Sequence, residues 1–159
     1  MKNLEDFDLS DALNYENVNE LKYYSMCFSE SLRILPPVTY SSSSLMTEEL
    51  NLGKYKIRAN QEFLIDIHFL HRNPKQWIEP DKFIPERFDP KSKYFLTPDG
   101  KKRHPMVFTP FLGGKRICIG KTFAETVSKI VGPSLLWAFD FKFVEGYGKK
   151  EVSLPLSQN

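Results

Sequence analysis

The chain has 159 residues, of which 41% are hydrophobic and 14% aromatic; this is enough apolar material for one packed domain and too much for a disordered chain. Its formal net charge of +2 is too small to indicate binding to nucleic acid or to an anionic membrane surface. The two cysteines form no CxxC pair, which argues against a structural zinc site, and no apolar run approaches the ~20 residues that cross a bilayer.

The first predicted element is a helix from about Asn17 to Leu35. Asn17 and Glu20 have the spacing of a capping box. Pro36 and Pro37 should end the helix, because proline lacks a backbone N–H and clashes with the preceding turn. Apolar residues recur along it at helical spacing, at Leu21, Tyr24, Phe28, Leu32 and Leu35.

Two short strands are predicted next, at residues 55–57 and 63–67, where aromatic and β-branched residues concentrate. Turns are expected at residues 51–54 and 59–61. Gly53 and Asn60 are the residues in those turns that tolerate positive φ.

Residues 73–110 are predicted to form a long irregular coil that is nevertheless ordered. Prolines recur throughout this segment, so neither a long helix nor a central strand can form in it. Large aromatic residues are interleaved with the prolines, which indicates a packed coil rather than a linker. They are Trp77, Phe83, Phe88, Phe95 and Phe108.

A final helix is predicted over residues 119–137, with a kink or an end at Pro133. One stripe of this helix is apolar, formed by Phe123, Val127, Ile130 and Val131. Residues 139–144 alternate between aromatic and polar side chains, as a strand does.

A glycine-rich loop with one cysteine precedes that helix, and it reads Phe111-Leu112-Gly113-Gly114-Lys115-Arg116-Ile117-Cys118-Ile119-Gly120. The N–H groups of a helix N-terminus and the two nearby cations favour thiolate over thiol. Glycines let the backbone come close to a sulfur atom or a flat cofactor, and a thiolate is a soft ligand suited to iron. From the cysteine alone, a small buried hydrophobic residue is an equally good interpretation.

The complete pattern F-x-x-G-x-R-x-C-x-G resembles the heme-binding signature of the cytochrome P450 family. The resemblance implies that Cys118 is the catalytic residue and the axial thiolate ligand of heme b, iron-protoporphyrin IX. It also implies that Phe111 packs on the sulfur side of the heme and that Arg116 pairs with a heme propionate, which the planar guanidinium suits. Gly114 and Gly120 complete the implied cofactor-binding set.

Glu30 and Arg33 lie at i, i+3 on one face of the first helix. A surface ion pair of this kind contributes only ~0–1 kcal/mol. The family has an E-x-x-R pair at this place, before a Pro-Pro turn, and a downstream P-E-R-F segment that matches residues 85–88 here. The resemblance therefore implies a buried structural triad of Glu30, Arg33 and Arg87 that fastens the aromatic coil.

Other positions match the family less closely. His71-Arg72-Asn73-Pro74 stands where members usually read H-R-D-P, and Val38 and Thr39 match the border of the substrate pocket. Many members carry a basic residue for the second propionate where this chain has Ser41 to Ser44. His68 and His71 have the spacing of a metal pair but lack a third ligand. The basic run 101–104 is interpreted as a solvated loop, with docking of an acidic redox partner as a second hypothesis.

The resemblance extends from about residue 15 to residue 144. It implies a mainly α fold with small β-sheets, the cytochrome P450 fold, of which this chain holds the C-terminal portion only. We expect residues 1–159 to be part of a single catalytic domain with no internal boundary. The oxygen-activating central helix and the cover of the other heme face lie upstream in the family. We therefore expect the chain alone to expose apolar surface, to bind heme weakly and not to turn over substrate.

The implied activity of the complete protein is insertion of one oxygen atom from O2 into a small apolar substrate, with electrons from a donor such as an NADPH-dependent flavoprotein reductase. A eukaryotic member would lie on the cytoplasmic side of the endoplasmic reticulum membrane, held only by an N-terminal part that this chain lacks. Two alternatives remain, namely a heme-thiolate isomerase or dehydratase, and a truncated fragment without catalysis. The sequence identifies neither substrate nor oligomeric state.

Overall fold

The described part of the chain covers residues 20–142 in a computed structural model. It opens with helix α1, Lys22–Ile34, which ends where Pro36 and Pro37 were predicted to stop it. The described helix begins one residue after Leu21. Asn17 of the predicted capping box lies outside the described residues.

Two small antiparallel sheets follow. Strand β1 (Ser44–Leu45) pairs with β4 (Glu62–Phe63), and β2 (Leu50–Leu52) pairs with β3 (Tyr55–Ile57). The prediction for β3 is confirmed, and the positive φ values of Gly53 (58°) and Asn60 (62°) confirm the two turn residues. The turn predicted at 51–54 is too long, because its first two residues belong to β2.

The strand predicted at residues 63–67 is wrong beyond Phe63. Asp66 forms an isolated bridge with Tyr40, and its side chain accepts a hydrogen bond from the N–H of Phe69 at 2.7 Å. This cap starts a one-turn helix, α2, at Ile67–Leu70. Local capping by Asp66 therefore overrides the strand preference of the residues around it.

The irregular coil predicted over residues 73–110 is confirmed, and it extends from residue 71 to residue 120. Short 3₁₀ turns lie within it at Pro85–Phe88, Lys93–Phe95, Pro105–Val107 and Gly114–Arg116. Most of the buried residues of the described chain lie in α1, α2 and this coil. The apolar ones are Leu32, Ile67, Trp77 and Val107, and the polar ones are Glu30, Arg33, His71, Arg87, Thr97 and Thr109.

Helix α3, Lys121–Ala138, confirms the helix predicted over residues 119–137 to within two residues at either end. Pro133 lies in its interior, so of the two predicted effects of this proline, a kink or an end, the structure excludes the end. The i→i−4 ladder resumes beyond the proline with Phe139 N–H donating to Leu135 O at 3.0 Å, and the Ser134 hydroxyl donates to Ile130 O at 2.6 Å. The strand predicted at 139–144 is absent over residues 139–142, where Phe139 and Phe141 pack on each other edge to face. Residues 143–144 of that prediction lie outside the described residues.

Candidate functional site

Glu30, Arg33 and Arg87 form a fully buried ionic group, called here the buried charge cluster, and all three side chains have no exposed surface. Arg33 meets the Glu30 carboxylate in a bidentate pair, with Nε–Oε2 and Nη2–Oε1 both at 2.8 Å. Arg87 Nε donates to Oε1 at 3.0 Å. The structure thus brings together the three residues that the sequence linked only by resemblance, and isolated burial of any one of them would be costly.

Two guanidinium groups against one carboxylate leave an excess positive charge, which backbone carbonyl groups offset. Arg33 donates to the carbonyls of His71 and Pro80 at 2.9 and 2.7 Å. Arg87 donates to the carbonyls of Ile78, Glu79 and Lys82. Burial, followed by the neighbouring Arg33 charge, lowers the pKa of Arg87. The charge cluster therefore fastens the first part of the coil to α1 through main-chain dipoles.

Arg103 extends this arrangement, although the sequence placed it in a solvated basic run. Its guanidinium lies 4.3 Å from the centre of the Trp77 ring and donates to the carbonyls of Arg87, Tyr94 and Leu96 at 2.6, 2.8 and 3.1 Å. Burial and the Arg87 charge lower its pKa to about 10. Arg103 is therefore a structural cation within the aromatic coil and is not free to dock a partner.

The neighbouring Lys101 behaves differently from Arg103. It pairs with Asp99 at 2.8 Å, and both side chains are largely exposed. No sequence signal separates Arg103 from Lys101, because the ring and the three carbonyls that receive its guanidinium come from other parts of the coil. The hypothesis that residues 101–104 dock an acidic redox partner therefore no longer includes Arg103.

His71 links the charge cluster to the coil that leads to the cysteine loop. Its imidazole has no exposed surface, its ring packs on Phe108 with centroids 5.3 Å apart, and its Nε2 accepts a hydrogen bond from the Thr109 N–H at 3.0 Å. Burial, and next the Arg33 charge, lower the pKa of His71 to about 4. The ring is therefore neutral at physiological pH, and the Thr109 N–H already occupies the Nε2 lone pair that a metal ion shared with His68 would need.

The loop from Phe111 to Gly120 has a backbone shape that its glycines permit. Gly114 has a φ of 67° at the start of the 3₁₀ turn, where a residue with a Cβ would be strained. The Cys118 N–H donates to Phe111 O at 2.9 Å, and Lys121 N–H donates to Cys118 O at 3.2 Å. These two hydrogen bonds hold Cys118 between the end of the coil and the first residue of α3.

Cys118 is exposed, and the residue after it, Ile119, is fully exposed. A Cβ added to Gly120 would lie 3.8 Å from the Cys118 sulfur, so glycine keeps that side of the sulfur open. Arg116 is also exposed, and no carboxylate within residues 20–142 forms an ion pair with it. The loop therefore exposes a thiol, a guanidinium group and an apolar side chain within four consecutive residues.

Val38 and Thr39 lie just after α1, and both are exposed. The Thr39 carbonyl accepts hydrogen bonds from the N–H groups of Ile67 and His68, so the backbone here is fixed to the start of α2. In the serine run, the Ser41 hydroxyl accepts from Ile65 N–H at 2.8 Å and Ser43 bonds Glu62. Two of the four serine hydroxyl groups therefore already have hydrogen-bond partners within the chain.

Residues 20–142 hold no group of three or more His, Cys, Asp or Glu side chains with the arrangement of a metal site. Within the same range, no helix has the length and apolar content needed to cross a membrane.

Several known proteins are similar to this chain. Phenylacetaldehyde oxime monooxygenase CYP71AN24 of Prunus mume is 30% identical over 89% of the chain, Cytochrome P450 4V2 of Mus musculus is 35% identical over 86%, and premnaspirodiene oxygenase of Hyoscyamus muticus is 33% identical over 94%. The match covers 26%, 24% and 29% of those proteins, respectively. The chain therefore spans about a quarter of the length of the curated relatives that it matches.

A solved structure shares the fold. Retinoic acid bound cyanobacterial CYP120A1 superposes with a TM-score of 0.76 at 27% identity, covering 85% of this chain and 30% of the other. The fold class predicted from the sequence, mainly α with small β-sheets, is confirmed by this similarity. The family described as Cytochrome P450 matches residues 6–156, which is nearly the whole chain, and the chain therefore belongs to the cytochrome P450 family.

Proposed function

We propose that this chain is the heme-ligating, C-terminal part of a single monooxygenase catalytic domain, with Cys118 as the axial thiolate. The observation that carries the proposal is the exposed Cys118 sulfur at the end of a loop whose backbone is hydrogen-bonded on both sides of it. A thiolate is a soft ligand suited to iron, and the porphyrin supplies the ring nitrogens that a single cysteine cannot. One cysteine without further protein ligands therefore fits a heme.

The other residues of the loop fit the same group. The exposed Arg116 guanidinium is suited to a propionate, because its planar fork matches a carboxylate. Phe111, Gly114 and Gly120 would line the sulfur side, where glycine lets the flat cofactor come close. When bound, the heme supplies oxygen activation, to which an axial thiolate contributes by donating electron density that favours O–O cleavage.

The contribution of the protein to this chemistry is to fix the position of the Cys118 backbone. The charge cluster of Glu30, Arg33 and Arg87 anchors the coil to α1, and the Phe111 carbonyl receives the Cys118 N–H. Val38 and Thr39 are our candidates for the border of a pocket that admits a small apolar substrate. Their exposed positions after α1 support this assignment.

For the complete protein we infer O2 as co-substrate and an electron donor such as an NADPH-dependent flavoprotein reductase. The family membership of the chain supports both. In a eukaryotic cell we expect the complete protein at the cytoplasmic side of the endoplasmic reticulum membrane. Similar proteins come from a plant and an animal, which supports a eukaryotic location of this kind.

The test uses the complete protein that carries this chain, reduced and exposed to carbon monoxide. We expect the strongly red-shifted Soret band of a thiolate-ligated heme, and we expect Cys118→Ala to abolish it. Cys27→Ala is the matched control, because Cys27 is a half-buried thiol on α1 and burial raises its pKa. Retention of the band in Cys118→Ala, or its loss in Cys27→Ala, would contradict the assignment of the ligand.

A further inference from the structure

His71 is a buried titratable residue that joins the charge cluster to the coil before the cysteine loop, through its main-chain carbonyl on one side and its imidazole on the other. Its main-chain carbonyl accepts from Arg33 Nη1 at 2.9 Å. Its ring nitrogen Nε2 accepts from the Thr109 N–H at 3.0 Å. A single residue thus connects the ionic anchor on α1 with the segment that runs into Phe111.

The direction of the ring hydrogen bond fixes the protonation state of the imidazole. A backbone N–H can only donate, so Nε2 must be unprotonated and the single ring proton must lie on Nδ1. Nδ1 is sealed from water and faces the backbone of Leu32 and Arg33, with no hydrogen bond of standard geometry inside the described chain. Only the neutral ring can therefore make the contact with Thr109.

The charged side chains around His71 all lower the pKa of its imidazole. The Arg33 and Arg72 guanidinium groups are the charged neighbours that oppose a proton on the ring, and burial opposes it further. Phe108 and Thr109, on the other side of the ring, carry no charge to offset this. The site is therefore built to keep an acceptor, and not a cation, opposite the Thr109 N–H.

Two backbone hydrogen bonds connect Thr109 to Cys118. Leu112 N–H donates to Thr109 O at 3.0 Å and closes a turn, and the carbonyl of Phe111, inside that turn, receives the Cys118 N–H at 2.9 Å. Displacement of Thr109 would shift that turn, and with it the acceptor that holds the Cys118 backbone.

We propose that His71 is a positioning residue for the Cys118 loop: its neutral imidazole holds the Thr109 N–H and thereby fixes the turn that orients the thiolate. This inference rests on the proposed role of Cys118 as the heme ligand. It goes beyond that role, because it assigns the orientation of the thiolate to a residue 47 positions earlier in the sequence.

The experiment measures the fraction of thiolate-ligated heme in the reduced, carbon monoxide-bound complete protein. His71→Phe keeps a flat ring against Phe108 but removes the acceptor, so the buried Thr109 N–H loses its partner; we expect the ratio of thiolate-ligated to thiolate-free heme to fall about fivefold or more. His71→Gln offers an amide oxygen in place of Nε2 and should restore most of that ratio.

Ile67→Ala is the matched control, since Ile67 is also buried, one turn earlier on α2, and an aliphatic side chain can form no hydrogen bond with the Thr109 N–H. It should lower the unfolding temperature and leave the thiolate fraction of the folded protein unchanged. Equal thiolate fractions in His71→Phe and Ile67→Ala would overturn the inference.

If His71→Phe does not fold, His71→Gln decides the matter by acid titration. Glutamine cannot be protonated in this range, so the pH at which half of the thiolate band is lost should move down by about half a unit or more; identical midpoints for the variant and the unaltered protein would overturn the inference. Absence of the band in the unaltered protein would overturn the proposed function itself, whereas a normal band that is insensitive to His71 overturns this inference alone.

Discussion

The two ends of the described chain differ in how far their side chains are buried. Around α1 and the coil, charged and aromatic side chains bury one another, and Glu30, Arg33, Arg87 and Trp77 are almost fully enclosed. Helix α3 has no buried residue, and its row of Phe123, Val127, Val131 and Leu135 is exposed. Within the described residues, the first region buries its own charged and aromatic side chains, whereas the second leaves the cysteine loop and one apolar face of α3 exposed.

The largest expected effect tests the self-contained region. Glu30→Gln keeps the side-chain shape but leaves two buried arginines without a counter-charge, which should cost about 3–5 kcal/mol of unfolding free energy. Glu49→Gln is the control, because the Glu49–Lys56 pair is exposed and should cost at most ~1 kcal/mol. Denaturant unfolding of the two variants measures the difference, and similar costs would mean that the charge cluster contributes no more than a surface pair.

The next effect is the acid sensitivity of the same region. The unfolded chain takes up a proton at His71 below pH 6.5, but the folded protein does so only below about pH 4. Between these values the unfolded state binds more protons, so stability falls as the pH falls, by roughly 3 kcal/mol in total. Unfolding free energies measured from pH 7 to pH 4 should follow a steeper slope in the unaltered protein than in His71→Gln, and parallel slopes would contradict the assignment.

A smaller effect tests the contact between the two regions. A Cβ on Gly132 of α3 would overlap the Tyr24 hydroxyl of α1, which itself donates to Ser128 O at 2.7 Å. Gly132→Ala should therefore be destabilising by about 1–3 kcal/mol from overpacking, less a helix-propensity gain of up to ~1 kcal/mol.

The same substitution in a Tyr24→Ala background should become stabilising, because only the propensity gain remains. A double-mutant cycle on unfolding free energies measures this change of sign. Additive effects of the two substitutions would show that Tyr24 does not limit the space at Gly132.

The smallest effect tests the exposed face of α3. Phe123 is 74% exposed, so Phe123→Ser should change the unfolding free energy of the 159-residue chain by less than ~0.5 kcal/mol. The same chain should bind an apolar fluorescent dye less strongly after the substitution, because the apolar patch becomes smaller. A cost of ~3–5 kcal/mol, as for a buried phenylalanine, would instead show that this face is packed.

The elements that local chemistry determines were predicted well from the sequence. Pro36 and Pro37 ended α1, the recurring prolines kept residues 71–120 irregular, and Gly53 and Asn60 adopted positive φ. The errors arose where a local or distant partner decided the outcome. Asp66 capped α2 in place of a strand, and residues 139–142, predicted as the start of a strand, have no strand partner among the described residues.

The candidate site divides in the same way. The contact of Glu30 with Arg33 follows from helical spacing, but its burial depends on carbonyl groups from residues 71–82 that no periodicity reveals. Arg103 and Lys101 are both cations of one basic run, and the sequence does not distinguish them. Their surroundings differ because Trp77 and three backbone carbonyl groups receive the Arg103 guanidinium. The proposed role of His71 depends on the Thr109 N–H, a donor 38 positions away. No pattern in the sequence links these two residues.

The contrast between the two regions also places the two tryptophans of the chain in different surroundings. Trp77 is enclosed beneath the guanidinium groups of Arg33 and Arg103, whereas Trp137 near the end of α3 is 46% exposed. Their intrinsic fluorescence should therefore differ, with Trp77 emitting at the shorter wavelengths of a dry environment and Trp137 at those of a hydrated one. Emission spectra recorded during unfolding would therefore show, without any added label, whether the coil around Trp77 and helix α3 unfold together or one after the other.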